Sequence, residues 1–474
     1  MAGWFARLIG RASRAAVVPV ATPAPPPAAL ARAALAAAAA PRAAQPAAQR
    51  SAQHTAQPPA PSFGVRRPLV GSKGGVAGFE LLLPPALELR LAQRADAAAA
   101  QARAAHQALL LASATPLCRA GRLVLVTLSA AALARPGVAQ QAASGALVCV
   151  PDLHQLPAEA AAALRARGVR LGVADGPPDR APAADFVLLH AVAGGLDTLL
   201  ASAQRWREQR APLPLLATGL QQLDDVERVL RAGFTLVGGV LDRSQGLALP
   251  RPLSAAAHRI CGLMNHLALD HGTQVVADAV RGDVALSYRL LRYANSPALG
   301  LRSSVESVDT AVMLLGRQEL QRWLSVLLLS VADSRQASRA VQEMALARGR
   351  LLESLAGMRE HPAPQTLFTM GVMSMLEVLL QLPLADALQP LRLPEPVLLA
   401  LLQRQGPLAG YLALAEALDA ADSAGIEARA EHFGGVEAVQ ALADEAWAWA
   451  ADMAASTAPE RPAAAAKDAI STAL

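Results

Sequence analysis

LSYRLLRYANSPALGLRSSVESVDTAVMLLGRQELQRWLSVLLLS, residues Leu286 to Ser330, decides how the C-terminal half of this chain is read. It reads as a helix, a tight Asn-Ser-Pro turn, a short loop, and a second helix running into an apolar third. Pro297 cannot continue a helix, and Asn295 tolerates the left-handed backbone that often ends one. Gly316 permits either a close helix approach or a turn. The apolar run from Trp323 to Ala332 is too short for a membrane span, which takes about 20 residues, and reads as a buried helix.

Around that stretch, from about Leu247 to Trp449, amphipathic and apolar helices are separated by Pro and Gly, with no convincing strand. The preceding segment has a different pattern. Short apolar runs at Val65–Val70, Val76–Leu83, Arg122–Leu128, Ala146–Val150, Arg170–Ala174, Asp185–Leu189, Leu213–Thr218 and Thr235–Leu241 predict strands. Helical periodicity falls between several of them, as at Ala158–Arg167, Leu196–Gln209 and Gln222–Ala232. Eight strands interleaved with helices predict an α/β barrel rather than an open sheet. Gly71–Gly75 reads as a hairpin connection.

The net charge of +5 is unevenly distributed. No Asp or Glu precedes Glu80, while nine of the 43 basic residues do, which leaves 34 basic against 38 acidic side chains in the remainder. A broad basic surface for nucleic acid is therefore not expected. Residues 17–61 are nearly all Ala, Pro, Gln, Arg, Ser and Thr, the composition of a disordered tether. Ahead of it, Met1 to Ala16 places Trp4, Phe5, Leu8 and Ile9 on one side of a helix and Arg7, Arg11 and Arg14 on the other. That pattern fits an anchor on anionic lipid, or a docking peptide or frayed terminus. Cys118, Cys149 and Cys261 lie far apart, form no metal-ligand spacing and fit a reducing, cytoplasmic compartment. The expected organisation is a tail at 1–61, a barrel at 62–246, a helical domain at 247–454 and a flexible end at 455–474.

Asp283 with LSYRLLRYANS, followed by MLLGRQEL around Gly316, resembles the HDOD family, helical domains related to the HD metal phosphohydrolases. An active HD domain needs a His-Asp pair and further His and Asp ligands. In FTMGVMSMLEVLL, Phe368 to Leu380, Ser374 and Met375 stand where that pair would be. His258, His266 and His271 are spaced by eight and five, which does not put all three on one helix face. Trp447 and Trp449 read as packing anchors or, if exposed, as a partner site.

The α/β segment resembles the EAL family of cyclic-di-GMP phosphodiesterases. The resemblance lies in RRPLVGSKGGVAGFELLL from Arg66, in RLGVADGPPD with ADFVLLHAV, and in PLLATGLQQLDDVERVLRAGFTLVGGVL. It implies strand-end acids, an Asn, a Lys and a Gln that hold divalent metals and orient a water. Hard cations need several oxygen ligands. Glu80 stands at the motif Glu. Thr127 replaces the Asn, Asp152 lies near an otherwise missing acid pair, and Ala174–Asp175 replaces an Asp pair. Leu188 replaces the Lys and His190 the acid after it. Thr218 and Gln221 replace two Glu, and Gly238 the Gln. Arg66 and Arg67 are candidate phosphate contacts, though strand-edge Arg usually faces solvent. Walker A, GxGxxG and GxSxG patterns are absent from the sequence.

These readings together predict a bacterial signalling protein with no catalytic, cofactor-binding or metal-binding residue and no cofactor. It would act as a scaffold or regulator through protein partners. Two alternatives are a receptor that binds cyclic-di-GMP without cleaving it, and a divergent phosphodiesterase that depends on Glu80.

Overall fold

Strand β1 (Val65–Gly71) and strand β2 (Val76–Leu82) are separated by residues 72–75 alone. A parallel crossover takes about a dozen residues or more, so the two strands can pair only as a hairpin. In the computed structural model they do, with Arg67 opposite Glu80. The structure describes residues 64–457 except 94–95, 136, 176–183, 192–194, 210–212, 245–252, 270–271, 297–298, 300–303, 332–334 and 359–361. The expected tether, the Met1–Ala16 helix and residues 458–474 lie outside the described residues.

The remaining strands are β3 (Leu123–Thr127), β4 (Ala146–Cys149), β5 (Arg170–Ala174), β6 (Phe186–His190), β7 (Leu215–Leu220) and β8 (Leu236–Gly239). Each pairs parallel with its predecessor, and β8 closes on β1 antiparallel to complete a closed barrel. All eight expected strands are present, displaced by at most two residues. Parallel strands buried on both faces are almost continuously apolar, which is why runs as short as Ala146–Cys149 were readable. Leu69, Leu125, Leu147, Phe186, Leu188, Leu216 and Leu236 fill the interior. Outside, α1 (Ala97–Arg119) lays Leu110, Leu111 and Ala114 on the outer faces of β3 and β4. The barrel wall also carries α2 (Ala158–Ala166), α3 (Gly195–Gln209) and α4 (Leu223–Arg231).

On the outer face of the hairpin, Leu81 packs with Leu110 and Leu111 of α1, and the helical half covers Val70, Val76 and Phe79. That half contains α5 (Ala255–Ala268), α6 (Thr273–Arg281), α7 (Val284–Ala294), α8 (Val308–Ser330), α9 (Ser338–Gly357), α10 (Pro364–Met373), α11 (Ala409–Asp419) and α12 (Val436–Thr457), with shorter helical pieces between them. Val70, Val76 and Phe79 of the barrel share one buried cluster with Met344, Leu351 and Trp447. Phe79 meets Trp447 edge-on with ring centroids 5.1 Å apart, and Trp449 meets Phe368 at 6.0 Å. Both tryptophans are packing anchors. The hairpin tip docks on the start of α9, where the Ala340 N–H donates to the Gly74 carbonyl at 2.9 Å. Gly74 has φ +78°, and a Cβ there would lie 1.8 Å from the Gln336 carbonyl oxygen, so only glycine fits.

Within the deciding stretch, Asp283 caps α7 by accepting the N–H groups of Ala285 and Leu286 at 3.0 and 3.2 Å. Such a cap contributes about 1 kcal/mol. Asn295 is not left-handed; its φ is −88°. Its amide instead staples the loop, donating to the carbonyls of Leu291 and Val305 and accepting the Val305 N–H at 2.8 Å. Gly316 makes a turn, not a close approach. With φ 65° and ψ 178° it breaks α8 in two, and a Cβ there would meet nothing within 4 Å. The run after Trp323 is buried as expected. At the other end α12 continues to Thr457, past the expected start of fraying at Ala455, with Met453 still buried.

Candidate functional site

Side chains alternate across a strand. Leu69, Leu125, Leu147, Leu188, Leu216 and Leu236 face the barrel interior. Two residues from each toward the same end lie Arg67, Thr127, Cys149, His190, Thr218 and Gly238, with Glu80 opposite Arg67 and Ala174 at the end of β5. These eight positions, one per strand, form the inward ring at the carboxyl ends of the parallel strands, the end at which such barrels carry their chemistry.

Glu80 is 2% exposed. Its Oε2 lies 3.6 Å from Nη1 of Arg67, too long for a hydrogen bond. Thr218 hydrogen-bonds the Glu80 carboxylate, and the Thr218 Oγ1 is 2.8 Å from Nδ1 of His190. The Thr218 hydroxyl thus lies between the Glu80 carboxylate and the His190 ring. Burial raises the Glu80 pKa above the usual carboxylate range, against the pull of Arg67 and Thr218. Burial lowers the His190 pKa, opposed by Asp175 and reinforced by Arg67. The Cys149 thiol is pushed up by burial, despite a hydrogen bond with Thr127. Glu80 Oε2 and Arg67 Nε have no hydrogen-bond partner.

The other expected positions are occupied otherwise. Leu188 is fully buried one layer below the mouth, where a Lys would have to lift an ammonium out of an apolar interior. Asp175 Oδ2 accepts the backbone N–H of His190 at 2.9 Å. Asp152 accepts the Ala130 N–H at 2.9 Å and serves the β3 loop. Gln221 is exposed and folds back to the Gly219 carbonyl. A Cβ at Gly238 would meet Leu69 at 3.0 Å and Thr218 at 3.1 Å, so a glutamine there would need those two side chains to shift. Arg66 and Arg67 do not face solvent as strand-edge arginines usually do. Arg67 turns inward to Glu80, while Arg66 turns outward to Asp444 of the helical half and covers the Phe79 ring. Counting back from the hairpin turn would have put Arg67 opposite Phe79; the bulge between Leu69 and Val70 shifts the register and brings Glu80 there instead.

In the helical half, Met375 is fully buried. Ser374 donates to the Gly371 carbonyl at 2.7 Å and accepts from Arg348 at 2.8 Å. A Cβ at Gly371 would come within 2.7 Å of Gly349 Cα, so α9 and α10 cross in backbone contact just before this corner. His258 lies at the start of α5 with Nδ1 3.1 Å from the Leu253 carbonyl, and His271 lies outside the described residues. Among the described residues no three His, Cys, Asp or Glu side chains converge as metal ligands.

Residues 251–391 match the HDOD domain family. The HDOD match therefore falls within the helical half, behind the closed barrel. The chain is 28% identical over 212 residues to the uncharacterized protein YuxH of Bacillus subtilis, covering 44% of this chain and 51% of that protein. It is 26% identical over 275 residues to the cyclic di-GMP phosphodiesterase CdgJ of Vibrio cholerae, covering 57% and 63%. The chain thus spans half to under two thirds of the length of these relatives. Among solved structures it is similar to the FimX EAL domain of Pseudomonas aeruginosa bound to c-di-GMP, at 15% identity and a TM-score of 0.31 over 39% of this chain and 90% of that one. Among the described residues no helix is long and apolar enough to cross a membrane.

Proposed function

We propose that this EAL-like–HDOD protein belongs to cyclic-di-GMP signalling and acts through protein contacts without hydrolysing the nucleotide. One observation carries the reading. Glu80 is the single acid of the inward ring, and the Arg67 guanidinium sits beside it where a cation would otherwise be. Two dications need several carboxylates, and one carboxylate facing an internal arginine does not supply them. Leu188 and Gly238 leave no cationic group and no amide to handle a phosphodiester at those positions. Protein partners of the regulatory kind then follow from two halves that retain shape without a metal site.

A second reading has its own support. The unbonded Nε of Arg67 and Oε2 of Glu80 leave hydrogen-bonding capacity at the mouth, which suits a receptor that holds cyclic-di-GMP without cleaving it. Titration calorimetry with cyclic-di-GMP, paired with a turnover assay in Mg²⁺ or Mn²⁺, separates the readings. The scaffold predicts neither heat nor product, and the receptor predicts heat alone. Turnover that disappears in Glu80→Ala would overturn both in favour of a divergent phosphodiesterase.

A further inference from the structure

Arg348 of α9 is 3% exposed and joins the two halves. It donates to Asp242, just past β8, at 3.0 Å, to Asp419 of α11 at 2.8 Å, and to Ser374 at 2.8 Å. Asp242 follows the mouth position Gly238 by four residues, and Ser374 stands at the HDOD corner. One guanidinium thus ties the rim of the barrel to the degenerate pocket of the helical half.

We propose that this cluster is a proton-sensitive clasp, which holds the barrel against the HDOD half more tightly when it has taken up a proton than when fully ionised.

The charge balance of the cleft supports this. Asp419 is faced by Arg348 from α9, by Asp242 from the barrel and by Glu416 from its own helix; Arg66 of β1 also feels its charge. Glu416 pairs with Arg404 at 2.9 Å, and Arg66 with Asp444. Four carboxylates therefore share three guanidinium groups, and the surplus negative charge falls on Asp242 and Asp419, which share the buried Arg348. Desolvating an incompletely compensated charge is costly, and a proton removes the surplus. Arg348 does not yield that proton. Burial opposes its charge, but Asp419, Asp242 and Glu416 outweigh burial and raise its pKa. Burial raises Asp419 from 3.8 to about 6, against Arg348 and with Asp242 and Glu416 adding to the rise. The raised value means that the closed clasp binds more protons than the opened one between 3.8 and about 6. Closure is therefore favoured most at low pH and weakens as pH climbs through that window.

The test is hydrogen exchange of the full-length chain between about pH 4.5 and about pH 7.5, corrected for intrinsic rates. The opening constant of peptides spanning Asp242 and Ser374 should rise roughly twenty- to thirtyfold between those two pH values. In Asp419→Asn, which cannot ionise, the rise should vanish; in Asp309→Asn, at an exposed pair, it should persist. If Asp419→Asn does not fold, the wild-type profile decides, because the rise must be confined to peptides at the clasp and absent from α6 and α7. An unchanged or falling opening constant overturns the proposal, as does an identical rise in wild type and Asp419→Asn.

Discussion

The barrel mouth and the joint between the halves each bury an arginine against carboxylate, and they differ in how well the charges are satisfied. At the mouth, Arg67 lies 3.6 Å from Glu80, and Nε of one and Oε2 of the other go unbonded. At the joint, Arg348 bonds three acceptors on three different segments at 2.8–3.0 Å. A buried pair helps little unless its geometry is good and its remaining donors and acceptors are met. By that measure the mouth is a poorly hydrogen-bonded pair, whereas the joint is well made in its hydrogen bonds while carrying one carboxylate more than its cations match.

Removing the joint cation should therefore cause the largest loss. Arg348→Met strands Asp242 and Asp419 and should cost about 3–5 kcal/mol in urea unfolding at neutral pH. If the loss were below about 1 kcal/mol, the joint would be no better made than the mouth. Trp447→Ala removes the apolar part of the same joint. Burial by Phe79 predicts a loss of about 3 kcal/mol, and the barrel and HDOD half should melt together in calorimetry, since they share a core.

The mouth should respond in the opposite sense. Replacing both partners in Arg67→Met/Glu80→Leu removes two imperfectly met charges, and stability should stay level or rise by about 1–4 kcal/mol. A pH profile refines that contrast. The folded-state pKa of Glu80 lies above its unfolded value, so its contribution favours folding at low pH and fades as pH rises through the folded value. Glu80→Gln should remove that part of the pH slope in a series of thermal melts. At the small end, Arg281 is exposed and pairs with Asp278 and Asp309 in solvent. Arg281→Ala should leave the unfolding midpoint within experimental scatter.

The contrast also marks what could be read in the sequence. The strands were legible because burial on both faces writes an unbroken apolar run, as in LVLVT at Leu123–Thr127. The helical half was legible in the Asp283 cap and in the helix end at Asn295. Asn295 itself acts through its side chain, because the loop it staples returns at Val305, which local turn chemistry does not reveal. The ring residues could be placed from the resemblance, but the direction of Arg67 depended on hairpin register. The joint was not legible. Arg348 and Asp242 are 106 residues apart, and an Arg inside SRAVQEMALARGRLLESLAG looks like any solvent-facing helical cation. Glu343 of the same helix, which pairs with Arg122 of the barrel, is hidden in the same way.

The proposal that the mouth holds no catalytic metal is tested most directly by anomalous diffraction from crystals grown with Mn²⁺. Glu80 facing Arg67 predicts no ordered manganese inside the strand ends. Two manganese peaks about 4 Å apart bridged by Glu80, with Arg67 displaced, would contradict it.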